Sequence, residues 1–370
     1  MRESPRIAFV LEQTLGHVTH SANLQTLVGA DERIDAAFAP IEFSREGAAA
    51  RIPGMGNWTV RAGVRARRAV RALKREGTLD AMFVHTQVPA ILMPDRLARI
   101  PTVVSLDATP IQYDELGEHY GHDTGNSLAE GLKWRANRAC FARAARIVTW
   151  AEWTKRGLVD RYEVPAEKVV VVPPGVHYDA WATPRGRDGE SSADRPVRVL
   201  FVGGDFERKG GLLLVDAIGR LRADGLNVEV DLVTAGDPGA VPGVTVHHGM
   251  RPNSPELIAL YRAADIFCLP TFGDCLPMVL SEAGAVGLPL VASDVGAISE
   301  IVRPEVTGLL VAVGETDALT SALRRLVLDP QLRRKLGTTA QETVRQDFDA
   351  ARNASRVVDL LLEVSQRTDR

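Results

Sequence analysis

The segment that decides the fold reads Val197-Arg-Val-Leu-Phe-Val-Gly-Gly-Asp-Phe-Glu-Arg-Lys-Gly-Gly211 and continues into the apolar stretch Leu212–Leu221. A β-branched run ends in two glycines, and two more glycines open a stretch with helical spacing. This pattern predicts a buried strand, a tight loop and a helix. Arg208 and Lys209 place two cations in the loop, where a diphosphate would meet the start of the helix.

The same strand pattern recurs along the chain and predicts twelve strands in two groups of six. Polar residues after each run, followed by helical spacing, indicate parallel strands buried on both faces. We expect an α/β protein with two facing Rossmann-like domains and an active site in the cleft between them. The predicted strands are Ile7–Leu11, Ala36–Phe43, Ala81–Val84, Thr102–Leu106, Arg146–Thr149, Val169–Val172, Val197–Val202, Val228–Val233, Val244–His247, Ile266–Leu269, Leu290–Ala292 and Leu309–Val313.

The polar composition of residues 184–196 predicts a linker between the two domains. We expect residues 1–183 to form an acceptor-binding domain and residues 197–345 to form a domain that binds a nucleotide sugar. We expect residues 346–370 to form a closing helix, and one arrangement is that this helix packs back on the N-terminal domain.

A second loop, Pro270–Ala283, carries two acids on either side of a predicted helix start. Pro277 suits the first helical position, which leaves backbone N–H groups to face an anion. Asp274 and Glu282 can then bind different hydroxyls of one elongated ligand. The alternatives are an N-cap for Asp274 and a solvated acid for Glu282, but Glu282 interrupts an apolar run and needs a partner there.

The stretch Phe272–Val302 resembles the signature of the retaining family 4 glycosyltransferases, which have the GT-B fold. Asp274 and Glu282 occupy the two ends of the E-x7-E motif of that family, with Asp in first position. Phe201–Gly210 and Lys168–Gly175 are similar to other family segments. The resemblance covers nearly the whole chain and is most specific in the C-terminal half.

The resemblance implies a role for each residue of the donor site. Lys209 would bind the donor diphosphate, Glu282 the ribose hydroxyls, and Asp274 the transferred sugar as a catalytic residue. Cys275, Leu276 and Pro277 would line the approach to the phosphate, although packing is the simpler role for Cys275. Where the family usually has Arg, this chain has Gly204, so Arg208 would supply the second cation or the site would be weaker.

In the N-terminal half the family likeness is looser. Gly16 lies where the family loop approaches the donor phosphate, while His17 and His20 suit either acceptor contact or capping and surface roles. His85 ends a predicted strand, as a catalytic histidine of the family commonly does. Asp107 stands within about a residue of the usual position of another catalytic histidine. It either replaces that histidine, by orienting the acceptor hydroxyl or accepting its proton, or forms a local turn.

Composition restricts the other partners. A net charge of −3 over 370 residues gives no chain-wide field for nucleic acid. Three cysteines, odd in number, and the lack of a long apolar run predict a cytoplasmic protein without disulfides. Asp347-Phe-Asp349 lies in a predicted helical region, so we expect no metal and no cofactor besides the substrate itself.

The segment 58–75 is basic, and no acid occurs between Glu46 and Glu76. At helical spacing, its apolar side consists of Val60, Val64, either Ala66 or Val70, and Leu73, which predicts a basic amphipathic helix. Such a helix suits either weak peripheral contact with an anionic membrane surface or a solvated helix packed on its own sheet. The Ala/Val-rich apolar side favours the second interpretation.

The leading hypothesis is a metal-independent retaining glycosyltransferase that moves a hexose from a UDP- or GDP-sugar to a glycan, lipid-linked or small-molecule acceptor. The family mechanism needs charge stabilisation more than a protein nucleophile, and the leaving phosphate is thought to help deprotonate the acceptor. Two alternatives stand beside it. One is a nucleotide-sugar epimerase of similar shape, and the other is a protein that binds a nucleotide sugar without catalysis.

Overall fold

The computed structural model describes residues 4–14, 16–42, 57–117, 127–182 and 195–366. Of the linker predicted at 184–196, residues 184–194 therefore lie outside the described part. Contacts divide the chain into two compact units. The first unit takes in Met1–Glu115, Asp123–Pro174 and Ala350–Arg370, and the second takes in Leu116–His122 and Gly175–Asp349. In both units only the residues within the described ranges are considered.

Twelve described strands form two sheets of six, and every ladder is parallel. The predicted α/β fold class, with two parallel sheets, is confirmed. The strands are β1 (Arg6–Glu12), β2 (Asp35–Ile41), β3 (Ala81–His85), β4 (Thr102–Leu106), β5 (Arg146–Thr149), β6 (Val169–Val171), β7 (Val197–Val202), β8 (Val228–Val233), β9 (Val244–His247), β10 (Ile266–Leu269), β11 (Leu290–Ser293) and β12 (Gly308–Val311).

Helices fill the connections between the described strands. They are α1 (His17–Gly29), α2 (Trp58–Glu76), α3 (Gln87–Ala90), α4 (Pro94–Leu97), α5 (Pro110–Glu115), α6 (Ser127–Arg143), α7 (Glu152–Tyr162), α8 (Tyr178–Trp181), α9 (Gly211–Ala223), α10 (Pro255–Ala263), α11 (Met278–Ala285), α12 (Thr316–Leu328), α13 (Pro330–Asp347) and α14 (Ala350–Gln366). The last strand ends at Val311 rather than at the predicted Val313, because the chain turns at Ala312, whose carbonyl accepts a hydrogen bond from the Glu315 backbone.

The first sheet has helices on both faces, as parallel sheets generally do. Along β1, Ala8 and Val10 pack with residues of α2, α4 and α6, while Ile7, Phe9 and Leu11 pack with residues of α1 and α14. Buried Val357, Val358 and Leu361 anchor α14 to this second face. The C-terminal helix is therefore part of the core of the first unit.

Each sheet contains one point where the strand order reverses. The first sheet runs β2-β1-β3-β4-β5-β6, so the chain leaves β1 to one side and later places β3 on the other side. The second sheet runs β12-β11-β10-β7-β8-β9, which reverses between β7 and β10. Loops at the carboxyl ends of the strands diverge at such a point and leave a crevice where ligands of open α/β sheets bind.

The loops that follow β7 and β10 are joined directly by hydrogen bonds. The Phe272 amide donates to the Arg208 carbonyl over 2.9 Å. Gly210 adopts φ +77°, and a Cβ at this position would lie 1.9 Å from the Pro270 carbonyl oxygen. Glycine at 210 therefore allows the two loops to touch.

Helix α2 buries the side that faces its own sheet. Ala62, Ala66 and Val70 belong to the core of the first unit. Arg67 pairs with Asp95 over 2.6 Å, whereas four basic residues nearby are exposed: Arg68, Arg71, Lys74 and Arg75. This agrees with a solvated helix packed on its sheet, because a large part of the apolar side is already covered. No helix in the described part of the chain has the length and apolar character needed to span a membrane.

We predict that Gly210→Ala lowers the free energy of unfolding by about 2–3 kcal/mol, since left-handed backbone costs a non-glycine residue about 1–3 kcal/mol and the new methyl group meets a carbonyl. Gly204→Ala is the matched control, because a Cβ there meets nothing within 4 Å. Its effect should stay within about 0.5 kcal/mol. Urea unfolding measures both, and equal midpoints for the two variants would contradict this account of the loop contact.

Candidate functional sites

The switch point of the second sheet gathers three of the predicted donor residues. Lys209 follows β7 and donates from Nζ to Oδ2 of Asp274, which follows β10, over 2.5 Å. The Arg208 guanidinium lies 4.0 Å from the other oxygen of the same carboxylate. Two cations and one carboxylate thus face one another, and Asp274 is only 7% exposed.

Two further contacts hold Arg208 in place. Its Nε pairs with Asp205 over 3.0 Å, and its Nη1 donates to the Gly273 carbonyl over 2.8 Å. The guanidinium is therefore fixed between the two loops. Gly204 leaves open space around its Cα, so no steric contact accounts for the lack of the usual arginine there.

A glycine also makes room for Lys209. A Cβ on Gly203 would lie 2.9 Å from Cγ of Lys209, so the lysine side chain passes directly over Gly203. The Gly203 amide donates to the Val233 carbonyl and extends the pairing of β7 with β8. Sequence places this glycine at the strand end, and the structure shows that it lets the ammonium reach Asp274.

The segment that follows Asp274 leads into α11. The Cys275 carbonyl accepts a hydrogen bond from the Ala297 amide. Gly296 adopts φ +59°, and a Cβ there would lie 2.1 Å from the Asp274 carbonyl oxygen, so this position requires glycine. Cys275 and Leu276 are buried. Their side chains therefore pack in the protein, and their backbone shapes the loop.

Helix α11 begins at Met278, one residue later than predicted, with Pro277 in extended conformation at the N-cap position. No side chain caps the helix by a hydrogen bond. The first turn of a helix presents N–H groups and a partial positive charge that favour an anion. This helix start is next to the Lys209 and Asp274 cluster in the same loop.

Glu282 lies deeper, inside α11, and has a partner that sequence reasoning missed. The Tyr261 hydroxyl donates to Oε2 of Glu282 over 2.8 Å. Burial raises the pKa of Glu282 to about 7, and the Tyr261 hydrogen bond opposes this rise in part. Tyr261 is itself fixed between Trp181, in an edge contact at 5.0 Å, and Phe267, which is stacked at 5.6 Å.

The first unit gathers the predicted histidines at its own switch point. His17 Nδ1, after β1, is 2.9 Å from His85 Nε2 at the end of β3. His17 Nε2 lies 3.7 Å from Oδ2 of Asp107, which follows β4. The four predicted residues His17, His20, His85 and Asp107 therefore form one cluster, with His20 in edge contact with the His85 ring at 5.0 Å.

Trp150 organises this cluster and was not predicted. Its ring stacks on His85 with centroids 5.3 Å apart and planes at 5°, and it also contacts the rings of His17 and His20. Burial, and after it the charge of His17, lowers the pKa of His20 to about 3. Burial likewise holds the pKa of His85 well below its usual value, followed by the effects of His17 and His20. Both rings are neutral near pH 7.

Asp107 makes the local turn contact that the sequence left open, and its role toward an acceptor stays a prediction. Its Oδ1 accepts a hydrogen bond from the Ala108 amide over 2.9 Å, which is a local turn contact. Its Oδ2 faces His17. One oxygen therefore shapes the backbone and the other belongs to the cluster.

Glu12 is a buried acid at the end of β1 that sequence reasoning did not single out. Its Oε2 accepts a hydrogen bond from the Thr86 hydroxyl over 2.7 Å, and its Oε1 accepts one from Thr14. It thus ties the loops after β1 and β3 together. Gly16, predicted to approach the donor phosphate, is exposed at the start of α1, and a Cβ there would meet nothing within 4 Å.

Two family models match the chain. "Glycosyl transferases group 1" matches residues 196–329, and "Glycosyltransferase Family 4" matches residues 30–180. The first range contains the Lys209 and Asp274 cluster, and the second contains His85, Asp107 and Trp150.

Curated relatives share about 30% of their residues with the chain over a little more than half its length. D-inositol 3-phosphate glycosyltransferase of Salinispora tropica is 30% identical over 246 residues, which cover 59% of this chain and 51% of that protein. MMP alpha-(1->4)-mannosyltransferase of Mycolicibacterium hassiacum is 29% identical over 222 residues, covering 57% and 52%. The chain thus spans about half the length of the curated relatives it matches.

Solved structures of other proteins have the same fold as this chain. Sucrose-phosphate synthase from Thermosynechococcus elongatus has a TM-score of 0.74 at 18% identity, with 97% of this chain and 99% of that chain covered. HepE from Anabaena, solved in complex with UDP-glucose, has a TM-score of 0.70 at 17% identity, with 97% and 99% covered. These structures show that the chain has the GT-B fold. The two family models, which together match residues 30–180 and 196–329, show that it belongs to the family 4 glycosyltransferases.

Proposed function

We propose that the chain transfers a hexose from a UDP- or GDP-sugar to an acceptor, with retention of anomeric configuration and without a metal ion. The observation that carries this proposal is the cluster of Lys209, Arg208 and Asp274 beside the start of α11, at the switch point of the second sheet. Cations and a helix start favour a diphosphate, and a carboxylate next to them favours the hydroxyls of a sugar.

The family resemblance assigns the parts of the donor to these residues. Lys209 and Arg208 would bind the diphosphate and stabilise its charge as the sugar leaves, a task that a metal ion performs in other enzymes. Asp274 would hold the transferred sugar and Glu282 the ribose. The fixed position of Arg208 near Asp274 supports it as the second cation in place of the residue missing at Gly204.

Two groups of relatives support a nucleotide-sugar donor. The curated relatives are named as glycosyltransferases, and HepE of Anabaena was solved with UDP-glucose. The acceptor would be handled by the first unit, where His17, His20 and Asp107 are the partly exposed polar members of the cluster. An epimerase or a protein that only binds the donor remains the competing hypothesis. A cytoplasmic location stays a prediction; the three cysteines are buried, and none of them forms a disulfide among the described residues.

A thermal-shift screen against UDP, GDP, UDP-glucose and GDP-mannose tests the proposal, because a ligand bound only by the folded state raises the unfolding temperature. The selected donor is then incubated alone and with candidate acceptors, with and without EDTA. Release of free nucleotide together with a glycoside product supports transfer, and an epimer formed from the donor alone would favour the epimerase. Binding without any turnover would favour the non-catalytic alternative.

We predict that Lys209→Ala weakens donor binding by at least about 1.5–3 kcal/mol, the usual contribution of a charge-assisted hydrogen bond. Lys335→Ala, an exposed lysine on α13, is the control and should bind the donor as the wild type does. Calorimetry with the donor selected above measures both variants. Equal affinity of Lys209→Ala and the wild type would remove Lys209 from the site.

We predict that donor affinity depends on pH through Glu282. The ribose hydroxyls need its ionised form as acceptor, and its pKa is raised to about 7, so binding strengthens as pH rises through this value. Affinity for the nucleotide sugar should increase about tenfold from about pH 6 to about pH 8. Glu282→Gln should bind weakly and without this pH dependence. An unchanged affinity and pH profile in Glu282→Gln would contradict the ribose role.

We propose that the exposed Arg68, Arg71, Lys74 and Arg75 of α2 give the first unit a weak attraction for anionic membrane surfaces. No described acid forms an ion pair with any of the four. Each basic residue near such a surface contributes about 1 kcal/mol. The buried apolar side of α2 limits this contact to electrostatics, so salt should abolish it.

Flotation with phosphatidylserine vesicles tests this contact. We predict that the wild type binds them at low salt and that Arg68→Gln/Arg71→Gln/Arg75→Gln binds about 100-fold more weakly, which corresponds to about 3 kcal/mol. Arg334→Gln/Lys335→Gln on α13 is the control. Equal recovery of the wild type with neutral phosphatidylcholine vesicles would exclude an electrostatic contact.

A further inference from the structure

The Glu282 carboxylate has one oxygen that the protein holds and one that it leaves open. Its Oε2 accepts the hydrogen bond from the Tyr261 hydroxyl over 2.8 Å, whereas no described residue donates to Oε1. Glu282 as a whole is 5% exposed. An ionised carboxylate oxygen accepts up to two hydrogen bonds, so Oε1 alone can accept from both hydroxyls of a ribose.

Two aromatic rings hold Tyr261, which is completely buried. The Trp181 ring meets it edge-on with centroids 5.0 Å apart. The Phe267 ring of β10 is stacked on it, with centroids 5.6 Å apart and planes at 10°. The ring therefore keeps its hydroxyl directed at Glu282.

Contacts outside the ring fix the helix that carries Tyr261. Just before α10, the Asn253 side chain accepts a hydrogen bond from Trp181 Nε1 over 3.3 Å. Next to Tyr261, Arg262 donates to the Ala180 carbonyl over 2.8 Å. Both ends of α10 are therefore tied to α8, within the second unit.

The Tyr261 hydroxyl keeps its proton while Glu282 titrates. Burial, and after it the charge and the hydrogen bond of Glu282, raises the pKa of this hydroxyl well above its usual value. A hydrogen bond donated to the ionised carboxylate favours that form. The Tyr261 hydroxyl therefore lowers the pKa of Glu282 and opposes the larger effect of burial.

Few other titratable groups lie on the described elements that pack against α11. Strand β10 carries Cys268, whose thiol stays neutral because burial raises its pKa, and no residue of β11 titrates. Helix α13 meets α11 through the uncharged Val344. Helix α8 adds two titratable side chains, Tyr178 and Asp179. Neither contributes to the shifted pKa of Glu282, for which burial and the Tyr261 hydrogen bond account.

We propose that Tyr261 is a positioning residue of the donor site, which holds Oε2 of Glu282 so that Oε1 is presented to the ribose hydroxyls. The inference rests on the proposed binding of a nucleotide sugar. Glu282 makes the contact with the ligand, and Tyr261 acts only through Glu282. The packed ring sets the place of the hydroxyl, and the hydroxyl sets the orientation of the carboxylate.

Calorimetry of Tyr261→Phe with UDP or GDP, whichever the wild type binds, tests the proposal between about pH 6 and about pH 9.5. The variant keeps the ring and loses the hydroxyl, which favours the protonated carboxyl. The midpoint of the pH dependence should therefore rise by at least about one unit, and affinity at about pH 7 should fall at least about fivefold. At about pH 9.5, where Glu282 is ionised in both proteins, a loss of about threefold or more should persist because the carboxylate is no longer held.

Two controls separate this role from a general loss of packing. Tyr162→Phe removes the hydroxyl of another buried tyrosine, in the first unit, and should match the wild type in affinity and midpoint. Tyr261→Phe/Glu282→Ala should bind the nucleotide as Glu282→Ala does, because Tyr261 acts through the carboxylate.

An unmoved midpoint in Tyr261→Phe, full recovery of its affinity at about pH 9.5, or a further loss in the Glu282→Ala background would overturn the proposal. A wild type that binds neither UDP nor GDP would overturn the proposed function instead. If Tyr261→Phe does not fold, 3-fluorotyrosine in place of every tyrosine keeps the hydroxyl and makes it a stronger donor. The midpoint should then move to lower pH, and an unmoved midpoint would again contradict the role of Tyr261.

Discussion

The reversal of strand order is the constraint on which both candidate sites depend. In a parallel sheet, all βα loops emerge at the carboxyl edge, and most neighbouring loops cross the same face side by side. Where the order reverses, the two adjoining loops turn to opposite faces and leave a crevice. The chain places its charged and titratable residues at these two points: Lys209 and Asp274 between β7 and β10, and His17 and His85 between β1 and β3.

The charges of the side chains are balanced differently at the switch points of the two sheets. In the second unit, Lys209 and Arg208 are both engaged with carboxylates, so a diphosphate would have to compete with Asp274 and Asp205 for them. Such a preformed cluster keeps the cations oriented and leaves Asp274 beside any ligand that they bind. In the first unit, Asp107 and Glu12 have no lysine or arginine partner among the described residues, and histidine and hydroxyl groups surround them. This chemistry suits proton transfer more than the binding of phosphate.

Sequence predicted those features that depend on local pattern. The strands were found from β-branched runs, and Lys209, Asp274, His85 and Asp107 from their positions just after a strand. The partners of these residues could not be found in this way. Tyr261 and Trp150 lie in segments whose pattern indicates only packing, and their contacts with Glu282 and His85 arise when distant segments fold together. Glu12 ends a strand like the others, so the strand-end rule could have found it.

The central claim is that the diphosphate of a nucleotide sugar binds to Lys209 and Arg208 beside the start of α11. A crystal structure of the chain with UDP or GDP, whichever binds, tests it most directly. The account predicts phosphate oxygens within hydrogen-bond distance of Lys209 Nζ and of backbone N–H groups in the first turn of α11. A nucleotide bound elsewhere, with Lys209 still paired only to Asp274, would contradict it.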